Sequence, residues 1–338
     1  MGNRISGVPA MGDVARLARV SHQTVSRVLN GHPHVRQQTR LRVRAAIEEL
    51  GYRPSEVARA LVTGRSRFIG VVAHDSTLYG PASLLAAFEQ AATEAGFVVT
   101  ALRADVRDRA SVSRALEWHR GRQVAGIVVI APTAPVHDAV DTVRSGTPLV
   151  MVDGDPGRST PTVTVDQVAG AAAATRHLLD AGHRTVWHVS GPPDWFDSAG
   201  RVVGWRSALE GAGREVPPVA PAGWSAASGY RVGRELALMP DVTAVFAAND
   251  HLALGILRAM HERGRRVPRD VSVVGFDDVP EAAHFIPPLT TVRPDFDAVA
   301  RDALALLLAQ AGGGAAGDVP RSREPVLVPR DSVRPPAT

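Results

Sequence analysis

Between residues 68 and 276, short runs of β-branched and small apolar residues recur, separated by stretches with helical periodicity. The runs are FIGVVA from Phe68, FVVTAL from Phe97, GIVVIA from Gly126, PLVMV from Pro148, TVWHVS from Thr185, AVFAA from Ala244 and VSVVGF from Val271. Nearly continuous apolar strands are buried on both faces, and only helices packed on each side can bury them so. Helical stretches such as 82–95 and 168–181 supply those layers. The alternation therefore predicts an α/β body with parallel sheets rather than a sandwich, a barrel of hairpins or a helical bundle.

Several of these runs end in polar residues: His74-Asp75, Asp153, Ser190, Asn249-Asp250 and Asp277-Asp278. In open parallel sheets, ligands bind beyond the carboxyl ends of the strands. The chain thus sets acids and amides where a ligand would lie. Asp and Asn also cap helices at strand-to-helix turns, which is the competing explanation for any single one of them. The recurrence across strands favours a ligand.

The first 66 residues read differently. Helical patterns cover about Gly12 to Ala18 (Val14, Leu17 and Ala18 apolar), His22 to Leu29 (Val25, Val28 and Leu29 apolar) and Gln37 to Leu50 (Leu41, Ala45, Ile47 and Leu50 apolar). Ser21 is placed to cap the second, and Asn30-Gly31 and Gly51 stop the second and third. Two short helices across a tight turn, braced by a third, is the helix-turn-helix plan, whose second helix enters the major groove. Its outward residues here are His22, Gln23, Thr24, Ser26 and Arg27, all suited to phosphates and base edges. A three-helix bundle with a polar surface has the same spacing. Charge separates the two parts: residues 1–67 hold 12 arginines against 4 acidic residues, a net of +8, and the remainder is −4. A basic head on a mildly acidic body points to a polyanionic partner for the head.

The chemistry available is narrow. The 338 residues contain no cysteine and no lysine, so disulfides, thiolate metal sites, lysine nucleophiles and Walker phosphate loops are excluded. There is no G-x-S-x-G elbow, and His261-Glu262 is not followed by the second histidine of a zincin. His177, His183 and His188 fall on a helix, a turn and a strand, poor spacing for a metal. Asp277 and Asp278, as chain neighbours, point apart and make a poor acid/base pair. No enzyme activity, cofactor or metal is expected. With neither a signal peptide nor an apolar run of membrane-spanning length, a cytoplasmic protein with no membrane contact is expected.

The head sequence DVARLARVSHQTVSRVLNGHPHVRQQTRLRVRAAIEELGYRPSEVARALVTGRS resembles that of the LacI/GalR family of bacterial transcription regulators. GHRTVWHVSGP, RVVGW, AVFAANDHLALG, VSVVGFDD and PPLTTVRPDF resemble the family's sensor body, and AGWSAASGY around Trp224 its lac repressor-like branch. The resemblance implies a helix-turn-helix head over residues 1–54, a hinge helix and linker over 55–66, and an effector-binding body over 67–333. It divides that body into two periplasmic-binding-protein-like subdomains: 67–165 with 294–323, and 166–292 with 324–333. It puts His22, Gln23 and Arg27 on base edges, Thr24, Ser26 and Asn30 on phosphates, Ala58 at the close approach of paired hinge helices and Leu61 in the minor groove. It assigns Asp153, Arg201, Trp224, Asn249, Asp277 and Phe296 to an effector cleft, with His74 and Leu78 on its wall. For Trp224 and Leu61, ordinary packing is the competing reading.

The function implied is a sugar-responsive repressor, a homodimer on a near-palindromic operator, released by a galactoside or other saccharide. A sugar-binding receptor without DNA function is the alternative. Leucine heptads do not follow VLVPRDSVRPPAT, so a dimer is expected over a tetramer. Three departures from the family stand out: Ala10 for a capping Thr, Arg19 for a Gly in the turn, and Arg36 for a capping Ser. A lost cap costs about 1 kcal/mol, and Arg19 would have to take a positive φ.

Overall fold

The computed structural model describes residues 9–29, 31–53, 66–74, 78–105, 107–130, 133–142, 146–154, 160–313, 319 and 321–336. Asn30, Ala58 and Leu61 lie outside these. The chain divides into two units, residues 1–67 and 68–338.

The head holds three helices, α1 (Met11–Leu17), α2 (His22–Leu29) and α3 (Gln37–Leu50). Their core is Val14, Ala15, Ala18, Val25, Val28, Val43, Ala46 and Tyr52. Ser21 caps α2, its Oγ accepting from the Thr24 N–H at 3.2 Å. The buried stripe of α3 differs from the sequence expectation: Val43 and Ala46 face in, Ile47 and Leu50 are half-buried, and Leu41 and Ala45 are exposed. Leu17 of α1 is exposed as well. A short helix offers only two or three inward seats, and small residues take them here because three helices meet closely.

The three departures have visible consequences. Ala10 offers no cap, but Asp13 Oδ2 accepts from the Ala10 N–H at 2.9 Å, supplying half of a capping box. Arg36 precedes α3 without a side-chain cap. Arg19 sits at φ 52°, the left-handed conformation expected of its position.

The body contains two parallel sheets. The first has the order β11-β5-β4-β3-β1-β2, from β1 (Phe68–His74), β2 (Val98–Ala104), β3 (Gly126–Ile130), β4 (Leu149–Val152), β5 (Thr162–Val165) and β11 (Ser322–Arg323). The second has the order β7-β6-β8-β9, from β6 (Trp187–Ser190), β7 (Ala220–Pro221), β8 (Ala244–Ala247) and β9 (Ser272–Val274). Every pairing within these sheets is parallel. All five residues of β3 and all four of β8 are buried, as strands covered on both faces must be.

Helices α4 (Tyr79–Glu94), α5 (Arg109–Gly121) and α6 (Ala134–Thr142) connect the strands of the first sheet. α7 (Gln167–Asp180), α8 (Phe196–Gly211), α9 (Ala226–Leu236) and α10 (Asp250–Glu262) belong to the second. The chain then crosses back through β10 (Thr291–Arg293), and α11 (Phe296–Ala311) buries Val299, Ala303, Leu304 and Leu307 against Ile69, Val128 and Val150 of the first sheet. β12 (Val326–Val328) returns antiparallel to β10. Each sheet therefore has a core cluster on either face, and the chain passes between the sheets at the carboxyl ends of their strands. Among the described residues no helix is long and apolar enough to cross a membrane.

Candidate functional site

Arg201 organises the cleft. It lies one turn into α8 and is only 5% exposed. Its Nε donates to Gln167 Oε1 at 2.9 Å, its Nη1 donates to the Ala248 carbonyl, and its Nη2 stands 3.6 Å from Asp277 Oδ1. The guanidinium plane lies 3.7 Å from the Phe276 ring centroid and 5.6 Å from that of Trp224. Four strand ends thus contribute to holding one cation: β5 through Gln167, β8 through Ala248, β9 through Asp277, and the loop after β7 through Trp224. A planar, fork-shaped donor fits this role where an ammonium would not.

Carboxylates gather round it. Asp153, just after β4, is buried, and its Oδ1 accepts from the Val165 N–H at 3.0 Å. Burial pushes its carboxyl up to about 6, against the opposing pull of that hydrogen bond and of Arg201. Asp277 is likewise raised by burial to about 6, with Arg201 opposing and Asp153 adding to the rise. Both residues have positive φ, 55° for Asp153 and 102° for Asp277. Non-glycine residues rarely adopt such conformations, and strained backbone of this kind concentrates at binding sites. Asp278 turns away from its neighbour, to Arg293 Nε at 2.5 Å and Arg330 Nη2 at 2.6 Å.

The remaining expected cleft residues fall into two groups. Asn249 is engaged twice: its Oδ1 caps α10 through the Leu252 N–H at 2.8 Å, and its Nδ2 donates to the Trp224 carbonyl at 3.2 Å. The capping explanation holds for it, and the same amide anchors the Trp224 segment. Trp224 is half-buried; its ring covers Gly191, where a Cβ would lie 2.3 Å from Cη2. Its Nε1–H is buried and meets no acceptor among the described residues. His74 ends β1 with its ring 5.1 Å from that of Trp195, which in turn lies 5.5 Å from Trp224. Leu78 precedes α4, and Phe296 opens α11 with its ring 6.2 Å from Tyr79. Phe296, Tyr79, Ser83, Asp277 and Arg293 line a cavity of about 660 Å³. Asp153, Arg201, Trp224, Asn249 and Asp277 therefore converge, with His74 joined through Trp195 and Phe296 sharing a cavity with Asp277.

On the head, α2 presents His22, Gln23 and Arg27 fully exposed, with Thr24 and Ser26 half-buried beside them. Thr24 Oγ1 is hydrogen-bonded to Ser21 Oγ at 2.9 Å.

Comparison with known proteins decides the family. Residues 10–55 match the bacterial regulatory proteins of the lacI family, and residues 175–333 match the periplasmic binding protein-like domain. The lactose operon repressor of Escherichia coli K12 is 32% identical over 312 residues, covering 90% of this chain and 85% of that protein. The chain belongs to the LacI family. The regulator CelR of Thermobifida fusca is 34% identical over 339 residues, covering 96% of this chain and 98% of CelR. Among solved structures, the lac repressor dimer bound to operator and the anti-inducer ONPF superposes with a TM-score of 0.90 at 30% identity, covering 97% of this chain and all of that one. A CelR–cellobiose complex superposes with a TM-score of 0.71 at 32% identity, over 96% and 99% of the two chains. This LacI-family member is thus a DNA-binding transcription regulator and not an enzyme.

Sequence reasoning missed two polar residues of the regulator's cleft. Gln167 is the first residue of α7 and orients Arg201. Asp197 lies four residues before Arg201 on α8, part-buried within electrostatic reach of Asp153, Arg201 and Asp277. Burial first, then the charges of Asp153 and Asp277, raise its carboxyl well above the usual range. The signal for Asp197 was present: residues four apart share a helix face.

Proposed function

We propose that this regulator is a saccharide-responsive repressor acting in the cytoplasm as a homodimer on a near-palindromic operator. One observation carries the reading: carboxylates, an amide, a guanidinium and tryptophan rings converge beyond the strand ends of a body joined to a basic helix-turn-helix head. Carboxylates and guanidinium groups pair with adjacent hydroxyls, and aromatic faces pack on the C–H face of a sugar ring. In this reading Asp153, Arg201, Trp224, Asn249 and Asp277 hold the sugar, with His74, Leu78 and Phe296 on the wall. CelR bound to cellobiose and the lac repressor with its anti-inducer support a saccharide of this kind, a galactoside or another disaccharide.

Residues 1–54 act as the reading head, 55–66 as hinge and linker, and 67–333 as sensor, with halves 67–165 plus 294–323 and 166–292 plus 324–333. His22, Gln23 and Arg27 read base edges, while Thr24, Ser26 and Asn30 position α2 on phosphates. Ala58 and Leu61 serve the hinge at the minor groove. Two-fold symmetry of the dimer is mirrored in the operator. Sugar binding favours a closed body that cannot hold both heads on one duplex, which couples the two sites.

The test is a gel shift on DNA upstream of the protein's own gene, with and without lactose, cellobiose and related sugars. A specific complex released by one sugar is expected, and Asp277→Ala should keep the complex and lose the release. No preference for any operator-like sequence over random DNA, in any ligand state, would overturn the reading.

A further inference from the structure

Resting on the saccharide reading, we propose that Asp197 is the charge-selecting residue of the cleft, restricting the effector to saccharides without an anionic group and rejecting sugar phosphates and uronates.

Three carboxylates, those of Asp153, Asp197 and Asp277, face one guanidinium, and that guanidinium is already committed. Arg201 spends Nε on Gln167, Nη1 on the Ala248 carbonyl and Nη2 on Asp277. The next cations, Arg293 and Arg330, are both bound to Asp278 at 2.5 and 2.6 Å. His188, on β6 beneath the cluster, is buried against Phe246 and Trp205 and kept neutral, its imidazole pushed down to about 3 by burial. Among these groups, no cation is free to meet a phosphate or a carboxylate.

Backbone donors are closed off as well. A helix N-terminus is the ordinary seat for an anion, since its free N–H groups and dipole favour negative charge. Two helices of the second sheet begin at this cleft, and each carries its own acid there. Asp197 is in the first turn of α8. Asp250 is in the first turn of α10, buried, with its Oδ2 accepting from the Val279 N–H at 2.8 Å and its Oδ1 from Thr291 Oγ1 at 2.5 Å. An anionic ligand at α8 would face the Asp197 charge in a water-poor site, where repulsion is only weakly screened.

The same arrangement suits an uncharged polyol. Carboxylates accept hydrogen bonds only, and sugar hydroxyls donate them. Asp197 makes no side-chain hydrogen bond to another residue among the described residues, which leaves it two oxygens for hydroxyls. The unpaired Trp224 Nε1–H is a buried donor that a ring or hydroxyl oxygen would satisfy. Since that donor is independent of the acids, it is a second sign that an oxygen-rich neutral molecule completes the site.

The test measures binding by calorimetry and thermal shift of the full-length protein at 0.15 M salt. The probes are lactose and cellobiose, each against its phosphorylated counterpart. For wild type, the neutral sugar should bind at least 100-fold tighter than the phosphorylated one. The near-isosteric Asp197→Asn should narrow that gap at least tenfold while changing affinity for the neutral sugar less. Unchanged circular dichroism and operator binding would show that the variant folds. Equal or tighter binding of the phosphorylated sugar by wild type, or an unchanged gap in folded Asp197→Asn, overturns the proposal and leaves the saccharide reading standing. If no sugar of either kind binds or releases the operator, the saccharide reading falls and this proposal with it.

Discussion

Replacing Arg201 by Met removes the cation on which the cleft turns while keeping an unbranched, flexible stem. Asp277 and Asp153 are each held near 6 against an ordinary 3.8 even with Arg201 beside them. At pH 7 an ionised carboxyl of this kind disfavours the folded state by about 3 kcal/mol. Without Arg201 its carboxyl climbs past 7, and it then stays protonated when folded. The penalty is capped at about 4 kcal/mol, the cost of taking up a proton at pH 7. The added electrostatic loss is therefore only about 1 kcal/mol per carboxyl. To this is added the exposure of two unmet acceptors, the Ala248 carbonyl and Gln167 Oε1, at about 1–3 kcal/mol each when buried.

The sign with pH follows from the raised values. Between 3.8 and 6 the folded state binds more protons than the unfolded chain, so wild-type stability rises as pH falls through 6. At pH 5 both carboxyls are largely neutral with or without Arg201, and the electrostatic part of the loss disappears. Urea unfolding followed by tryptophan fluorescence should show Arg201→Met costing about 4 kcal/mol at pH 7 and about 1–2 kcal/mol less at pH 5. Equal losses at the two pH values would refute the reasoning, because they would mean Arg201 does not compensate these carboxylates.

Three further outcomes are expected. Arg27→Ala should abolish sequence-specific DNA retention, a loss of about 1–3 kcal/mol at one base contact, yet leave the sugar-induced thermal shift unchanged. Arg19→Gly should relieve the left-handed backbone at φ 52° and raise the stability of the head by up to about 1 kcal/mol, measured as slower amide exchange in α1 and α2 of the intact protein. Gly255→Ala places a Cβ 2.0 Å from the Ala226 carbonyl oxygen, so α9 and α10 must separate. Thermal unfolding should show a loss of about 3 kcal/mol, the upper range for overpacking, and an unchanged melting temperature would contradict the packing described.

Local periodicity was enough for much of the fold. α2 and α3 begin and end where Ser21, Asn30-Gly31 and Gly51 place them, because caps and stops act within a few residues. Seven strands were legible because fully buried parallel strands announce themselves as apolar runs. β5, the short β7 and β10 to β12 were not marked as strands; they are two to four residues long, and TVTV or SR carries little apolar signal. Within α3, periodicity found the amphipathic helix but misjudged its inward face, putting Leu41 in place of Val43. The phase of a short helix is set by the two neighbours it packs on.

The sequence by itself determined which chemistries this protein can carry and the order of its elements, since residue identity and short-range hydrogen bonding need no partner distant along the chain. Only the tertiary structure decided that Asp153, Asp197 and Asp277, spread over more than a hundred residues, share one guanidinium, and that α11 packs on the first sheet after the second is complete. Both depend on where the parallel sheets bring their strand ends together, and on the burial that raises the carboxyls. Neither the crossing of the chain between sheets nor the water lost at their meeting is written in any local run of residues.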